Sequence, residues 1–163
     1  MNTAITAASK SDKKSLMRFY KQQGYSASLL GYDSSYMMMC SGEIIGAVII
    51  SGLARDNPQL FLHALVIKQE FRQKMLASQL IQHAVLQHNN QAIICFADEK
   101  LTYFYQKNSF SQVTEDQLLP PLLTRYLGYR RSLPSMAPRH TVHPEHRRSL
   151  PSMAPQHTVH PEH

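Results

Sequence analysis

The sequence contains very little cysteine. Its two cysteines, Cys40 and Cys95, both lie in apolar, strand-like runs. Isolated thiols in such runs are typical of small buried residues in a reducing compartment, and two of them supply neither a disulfide framework nor a zinc-binding spacing. We therefore expect no structural disulfide and no bound metal in the body of the protein.

Long hydrophobic runs are also absent. No stretch approaches the ~18 apolar residues that a membrane span needs, and the N-terminal segment MNTAITAASKSDKK lacks the apolar core of a signal peptide. The chain has 163 residues, of which 43% are hydrophobic, and this is enough for one domain with a single core. These features predict a soluble cytoplasmic protein without a membrane partner.

Positive charge is in modest excess, and its distribution is uneven. Residues 1–129 carry 12 basic and 9 acidic groups, whereas residues 130–163 carry 5 and 2, so half of the net charge of +6 lies in the last part. A weakly basic body is compatible with an anionic ligand such as coenzyme A, and equally with none. No nucleic-acid partner is expected, because the basic tail lacks aromatic stacking residues and a recognition element.

The last part of the chain is a tandem repeat of 17 residues. Residues 130–146 read RRSLPSMAPRHTVHPEH, and residues 147–163 repeat them with Gln156 in place of Arg139. The repeat shows no hydrophobic periodicity, and two copies are fewer than the roughly three that a stacked repeat fold needs. We therefore predict a domain of residues 1–129 followed by an appended tail of residues 130–163.

Three roles remain open for this tail. It is a passive extension, or it contacts a partner such as a second copy in a homodimer, or its histidines bind a divalent metal. The metal role is the weakest, because a proline in each histidine motif prevents a helix from aligning the rings and no carboxylate or thiolate set completes a site. The histidines are His140, His143, His146, His157, His160 and His163.

Within residues 1–129, strand and helix patterns alternate. Apolar runs joined by Ser41-Gly42 predict an antiparallel hairpin, and residues 59–67 are apolar on both alternating faces, which is typical of a central strand covered by helices on both sides. This order predicts an α/β domain with a mixed sheet. The predicted strands are 5–9, 35–40, 43–52, 59–67, 92–97 and 110–113, and the predicted helices are 13–23, 73–88, 99–107 and 118–129.

The segment after the central strand carries the clearest binding signal. The chain passes through residues 68–71 into the start of the next helix, where several backbone N–H groups are unpaired and the helix dipole is positive. Such a point binds phosphate. Arg72 and Lys74 add positive charge there, and Ser78 offers a hydroxyl group.

Three motifs in the chain resemble those of the GNAT superfamily of acetyltransferases. Arg72-x-x-Met75-x-Ala77 is similar to the coenzyme-binding pattern Arg/Gln-x-x-Gly-x-Gly/Ala, with Met75 in place of the first glycine. Residues 103–110 (YFYQKNSF) resemble the FY-x-x-x-GF signature, with Ser109 in place of its glycine. Residues 42–46 (GEIIG) match the common G-x-I-V-G third strand. The resemblance covers residues 5–113.

This resemblance implies both a fold and a cosubstrate. The implied fold is α/β, with a mixed, mostly antiparallel sheet that is flanked by helices and splayed between its two central parallel strands. The implied cosubstrate is acetyl-CoA, held by the end of the central strand and the start of the following helix. The residues implied to bind it are Leu65, Val66, Ile67, Arg72, Gln73, Lys74, Met75, Leu76, Ala77 and Ser78.

Within the superfamily, the segment LHALVIKQEFRQ (62–73) is similar to arylalkylamine (serotonin) N-acetyltransferases. This similarity implies that His63 acts in proton transfer and that Tyr105 donates a proton to the leaving thiolate. It also implies that a backbone N–H near Leu65, where the strand splays from its neighbour, binds the oxyanion. A second histidine of those enzymes corresponds to Phe61 here, so the proton path differs.

The chemistry explains why a base is needed. An aliphatic amine has a pKa near ~10.4, so it is almost wholly protonated at neutral pH, and imidazole with its pKa of ~6.5 is suited to remove the proton. We therefore predict a GNAT-family N-acyltransferase that moves an acetyl group from acetyl-CoA to a primary amine of a small molecule or protein by direct attack. The acceptor pocket is expected around residues 19–35 and after Val113. Asp33, Glu43 and Glu115 are candidates to attract a cationic amine.

The alternative is a non-catalytic module of the same fold that binds acyl-CoA or a protein partner. Met75 and Ser109 favour it, because a side chain in place of glycine narrows the approach of the backbone to a pyrophosphate.

Overall fold

The computed structural model describes residues 2–132 and 136–141 of the chain. Its helices are α1 (Lys13–Gln22), α2 (Leu76–Leu86), α3 (Thr102–Lys107) and α4 (Pro120–Ser132). Its strands are β1 (Thr3–Ala7), β2 (Asp33–Cys40), β3 (Glu43–Ser51), β4 (Gln59–Ile67), β5 (Ala92–Asp98), β6 (Phe110–Gln112) and β7 (Met136–Thr141). Within these described ranges, no helix is long and apolar enough to cross a membrane.

The strands of the described ranges form one sheet in the order β1-β2-β3-β4-β5-β7-β6. β4 and β5 run parallel, and every other neighbouring pair is antiparallel. This confirms the predicted α/β fold with a mixed, mostly antiparallel sheet. Gly46 in β3 has a packing role in it, because a Cβ atom there would lie 2.7 Å from Cδ1 of Ile67 in β4.

The two parallel strands pair over only part of their length. Residues 59–61 of β4 pair with residues 92–94 of β5, and β5 then pairs with β7 instead. The register between β3 and β4 also shifts between Ala47 and Ile49, and Ala64 opposite this shift has a positive φ of 57°. A bulge of this kind turns the strand away from its neighbour. β4 and β5 therefore separate after Phe61, as the resemblance implied.

Helices cover both faces of the sheet. On one face, α2 and α3 pack against Leu62 and Leu65 of β4. On the other face, α1 packs against Ala64 and Val66. The same face carries α4, whose apolar side chains contact Phe61 and neighbouring residues of β5. We name the two sides of β4 after the expectations from the sequence, so that the coenzyme face is the one with α2 and α3 and the acceptor face is the one with α1 and α4.

The helix after β4 begins later than predicted. Gln73 and Met75 have φ angles of 68° and 61°, in the left-handed region, so the prediction of a helix from Gln73 is wrong and α2 starts at Leu76. The intervening residues instead form a short 3-10 turn, Gln69–Phe71, and an irregular connector.

The strand β7 was not predicted. It lies in the first copy of the 17-residue repeat and fills the gap between β5 and β6, while α4 also runs on into this copy as far as Ser132. The repeat shows no hydrophobic periodicity, and the interior Pro138 has no N–H to donate to a neighbouring strand. The division into a domain of residues 1–129 and a tail of residues 130–163 stays a prediction, and the whole second copy lies outside the described residues.

Candidate active site

The connector between β4 and α2 is shaped by two left-handed residues. Gln73 and Met75 reverse the direction of the backbone immediately before α2, and no side chain caps the first turn of this helix. The first N–H groups of α2 are thus left for an external acceptor or water. Arg72 braces the connector, because its Nε donates to the carbonyl oxygen of Ile67 at 3.0 Å. Lys74 is exposed, with its Nζ 5.6 Å from the centre of the Phe71 ring.

The two positions where the family motifs carry glycine keep a glycine-like backbone. Met75 has φ 61° and Ser109 has φ 69°, and a residue with a Cβ atom is strained in this region by roughly 1–2 kcal/mol. Both positions thus combine a left-handed backbone with a side chain. Ser78, predicted to bind the coenzyme, is held from the side by Asn108, whose Nδ2 lies 3.1 Å from the serine Oγ.

The second half of β4 leaves one backbone edge without a strand partner in the described sheet. Val66 and Ile67 pair with β3, but the register assigns no β5 partner to any residue after Phe61. The bulge is held from the acceptor face by Tyr20, whose hydroxyl donates to the carbonyl oxygen of Ala64 at 2.7 Å. Leu65, the predicted source of an oxyanion-binding N–H, follows this bulge and is 1% exposed.

His63 lies at the point where β4 and β5 separate. It is 7% exposed, and its ring stacks on that of Phe61 with centroids 4.9 Å apart and planes inclined by 9°. Its Nε2 lies 2.8 Å from Oγ of Ser51. The Ser51 hydroxyl in turn donates to Oδ1 of Asp33. We call this chain of contacts the Asp33–Ser51–His63 relay.

The relay determines which ring nitrogen of His63 carries the proton. Ser51 has a single hydroxyl proton and donates it to the carboxylate of Asp33, so its oxygen accepts the bond from His63. Nε2 must then bear the hydrogen, and Nδ1 of the neutral ring keeps its lone pair. No described residue bonds to Nδ1. This order, with serine between the other two groups, does not resemble a hydrolase triad, in which histidine is the central member.

The surroundings of His63 favour its neutral form. Burial lowers the pKa of the imidazole to about 4, the negative charge of Asp33 opposes this shift, and the positive charge of Arg125 adds to it. At pH 7 the ring is therefore neutral, and its lowered pKa makes it a weaker base than free imidazole. Asp33 is itself anchored, because it accepts from the backbone N–H groups of Gly31 at 3.1 Å and Leu30 at 3.3 Å.

Tyr105, the predicted proton donor, lies on the coenzyme face. It is fully buried in α3, with its ring edge-on to those of Phe104 at 5.0 Å and Phe110 at 5.5 Å. It belongs to the same cluster as Leu62 and Leu65 of β4. The structure thus does not bring Tyr105 and His63 into contact, but places them on opposite faces of the strand at the level where it separates from β5.

A cavity of about 430 Å³ lies on the acceptor face, along α4. Tyr129 in its wall has its ring centroid 6.4 Å from that of Phe61, on which His63 stacks. The residues that line the cavity are Pro121, Thr124, Arg125, Gly128 and Tyr129.

The acidic residues expected to attract an amine are already engaged. Glu115 pairs with Arg130 and Glu43 lies 4.0 Å from Lys68, whereas Asp33 belongs to the relay. Sequence reasoning missed the roles of Ser51 and Arg125. The positions of both follow from strand register and helix packing rather than from any local motif.

Comparison with known proteins gives a family match. A family model described as Acetyltransferase (GNAT) domain matches residues 6–118 of the chain. No curated protein sequence matches the chain significantly.

Several solved structures share the fold. An acyl-CoA N-acyltransferase from Pseudomonas aeruginosa is 16% identical, with a TM-score of 0.62 over 86% of this chain and 100% of that one. ElaA of Escherichia coli is 14% identical, with a TM-score of 0.62 over 86% and 99%. N-acetylglutamate synthase from Neisseria gonorrhoeae, complexed with coenzyme A and N-acetyl-glutamate, is 14% identical, with a TM-score of 0.63 over 86% of this chain and 35% of its own.

Proposed function

Because the chain belongs to the GNAT acetyltransferase family, we propose that it transfers an acetyl group from acetyl-CoA to a primary amine. The observation that carries the proposal is the Asp33–Ser51–His63 relay, which holds a neutral imidazole with an unprotonated Nδ1 where β4 and β5 separate. A structural neighbour complexed with coenzyme A adds support for the cosubstrate.

The connector before α2 fits the phosphate part of acetyl-CoA. Its left-handed residues and the uncapped first turn of α2 leave backbone N–H groups for an anion, and Lys74 adds an exposed positive charge. Met75 contributes a half-buried side chain at a position where glycine would contribute none. We expect this side chain to weaken the binding of the pyrophosphate without abolishing it.

In the proposed mechanism, His63 removes a proton from the acceptor. The amine enters as an ammonium ion, Nδ1 takes one of its protons, and the nitrogen lone pair then attacks the thioester carbonyl carbon. The resulting imidazolium is stabilised through Ser51 by the carboxylate of Asp33. A backbone N–H after the bulge, at or near Leu65, is proposed to stabilise the oxyanion.

The tetrahedral intermediate then collapses with cleavage of the carbon–sulfur bond. The second excess proton of the attacking nitrogen is lost to solvent, while the Tyr105 hydroxyl protonates the departing thiolate and regains a proton from solvent. Over the whole reaction the ammonium ion loses two protons, of which one balances the thiol of coenzyme A and one is released. No acyl-enzyme forms, because the amine attacks the thioester directly.

The local similarity to arylalkylamine N-acetyltransferases, from which the roles of His63 and Tyr105 come, stays a prediction, as does the cytoplasmic location. The competing proposal is a non-catalytic module that binds acyl-CoA or a protein. The strained, side-chain-bearing turn at Met75 is the observation that favours it.

Thiol release from acetyl-CoA across a panel of primary amines tests the proposal. We expect at least one amine to yield free coenzyme A, and we expect Tyr105→Phe to slow this turnover with little change in coenzyme affinity. If acetyl-CoA raises the thermal stability of the protein but no amine releases thiol, the non-catalytic module is supported instead. If acetyl-CoA has no effect on thermal stability and no thiol is released, both proposals are wrong.

A further inference from the structure

One face of α4 forms a continuous wall beside the relay. Positions 121, 124, 125, 128 and 129 recur at helical spacing, and their side chains line the cavity of about 430 Å³ on the acceptor face. This volume lies within the roughly 300–1,000 Å³ of small-molecule sites. The volume is enough for a small molecule, and the cavity is open to solvent, since Pro121, Thr124 and Gly128 in its lining are exposed.

Two ring contacts connect the wall of the cavity to His63. Tyr129 in the cavity wall lies 6.4 Å from Phe61, and Phe61 stacks on His63 at 4.9 Å. Burial is the main cause of the lowered pKa of His63, and the positive charge of Arg125, also in the wall, adds to it. His63 does not line the cavity among the described residues, and Phe61 connects the cavity wall to this base.

Arg125 carries a charge that the described part of the protein does not balance. It is half-buried, and it makes no hydrogen bond or ion pair with residues 2–132 or 136–141. On the same helix, Arg130 pairs with Glu115. The carboxylate of Asp33, which also acts on His63, is already bonded to Ser51 and to two backbone N–H groups.

An unbalanced guanidinium in a small cavity selects for a particular acceptor. It repels a simple cationic amine and attracts a carboxylate, which arginine binds through two parallel hydrogen bonds. We propose that the acceptor is a small amino acid-like molecule whose carboxylate binds Arg125 while its amine faces His63. This proposal rests on the proposed acetyl transfer and names its substrate class.

Matched acceptors test the substrate class. Free amino acids are compared with their carboxamides, which keep the amine and the shape but lose the negative charge. We expect kcat/KM to be about 10- to 100-fold higher for the amino acid, since hydrogen bonds between charged groups contribute on this scale. Arg125→Gln should remove most of this preference, mainly by raising KM for the amino acid.

The matched control is Arg131→Gln, which removes an exposed arginine of the same helix that does not line the cavity. It should keep the full preference for the carboxylate. If the wild type acetylates amino acids and carboxamides equally well, or if only acidic peptides and proteins are acetylated, the acetyl transfer stands and the inference about the acceptor is wrong.

A binding measurement separates failure of the inference from failure of the proposed reaction. N-acetylated amino acids, which carry the carboxylate but cannot react, are titrated while the imidazole signals of His63 are followed by NMR. A bound carboxylate should offset the charge of Arg125 and raise the pKa of His63 in the wild type but not in Arg125→Gln. Such binding without thiol release from any amine would retain the carboxylate site and refute the acetyl transfer. Absence of binding would refute the site.

Discussion

The two faces of β4 differ in how their residues are distributed along the sequence. The coenzyme face is built largely from one stretch, the end of β4, the connector and the start of α2, together with Tyr105 of α3. The acceptor face takes Asp33 from β2, Ser51 from β3, His63 from β4 and Arg125 from α4. A contiguous segment forms a motif that can be recognised in the sequence. A site assembled from four separate elements forms no such motif.

The largest expected effect is on the acceptor face. His63→Gln should lower kcat by about 10²- to 10⁴-fold, the usual contribution of a general base, because glutamine can bond to Ser51 but cannot accept the amine proton. Coenzyme affinity should not change, since the side chain lies on the other face of β4. Steady-state kinetics and a coenzyme titration check this. A parallel loss of affinity and turnover would mean that the two faces are not separate.

Acid stability provides a second test of the same histidine. The pKa of His63 is lowered by burial to about 4, so between this value and ~6.5 the unfolded chain binds a proton that the folded chain does not. The contribution of His63 to the free energy of unfolding is therefore fully present above pH ~6.5 and falls as the pH drops. The loss is about 2.5 kcal/mol at pH 4.5.

Urea unfolding at pH 7 and pH 4.5 measures this loss, and His63→Gln should lose correspondingly less. His88, whose pKa is also lowered by burial, acts in the same direction and leaves a smaller acid sensitivity in the variant. Equal losses in wild type and variant would show that His63 is not held neutral by its surroundings.

The cavity can be filled without disturbing the core. A Cβ atom at Gly128 would have no heavy atom within 4 Å, and the residue lies inside a helix, where alanine is stabilising by roughly 0.5–1 kcal/mol relative to glycine. Gly128→Phe should lower kcat/KM for the acceptor by at least about tenfold while coenzyme affinity is kept. Gly128→Ala is the control and should be at least as stable as the wild type. Full activity of the phenylalanine variant would place the acceptor elsewhere.

The smallest expected effect is on the coenzyme face. Met75→Gly should relieve a left-handed strain and clear the side chain from the connector, raising stability by up to about 1 kcal/mol and tightening acetyl-CoA binding several-fold. Ser109→Gly relieves the same strain at the end of α3 and is the matched control. Ser109→Gly should raise stability without changing the affinity for acetyl-CoA. Tighter coenzyme binding in both variants, or in neither, would remove Met75 as a determinant of affinity.

The sequence predicted most of the coenzyme face for a physical reason. Gln59–Ile67 is apolar on both faces, and the predicted strand has the same bounds as the observed one. This pattern is typical of a strand that helices cover on both sides. The start of α2 was misplaced since left-handed φ angles at Gln73 and Met75 are rare for residues with a Cβ atom. The role of each residue in this segment stays a prediction.

The acceptor face was not predictable in the same way. Counting from the Ser41-Gly42 turn places Asp33 opposite Ile50, but a register shift between Met38 and Met39 moves it opposite Ser51. A shift of one residue exchanges the two faces of a strand, so this shift creates the contact between Asp33 and Ser51, and Ser51 in turn contacts His63. The strand β7 was missed for a related reason, since its proline and its buried Arg139, which is 1% exposed, do not follow a strand pattern.

The state of the His63 ring is the most direct test of this account. Nitrogen NMR of the imidazole at pH 7 should show a neutral ring with the proton on Nε2, and a pKa near 4 that Asp33→Asn lowers further and Arg125→Gln raises. A ring protonated on Nδ1, or one that is doubly protonated at pH 7, would contradict the relay and the role of His63 as the base for acetyl transfer.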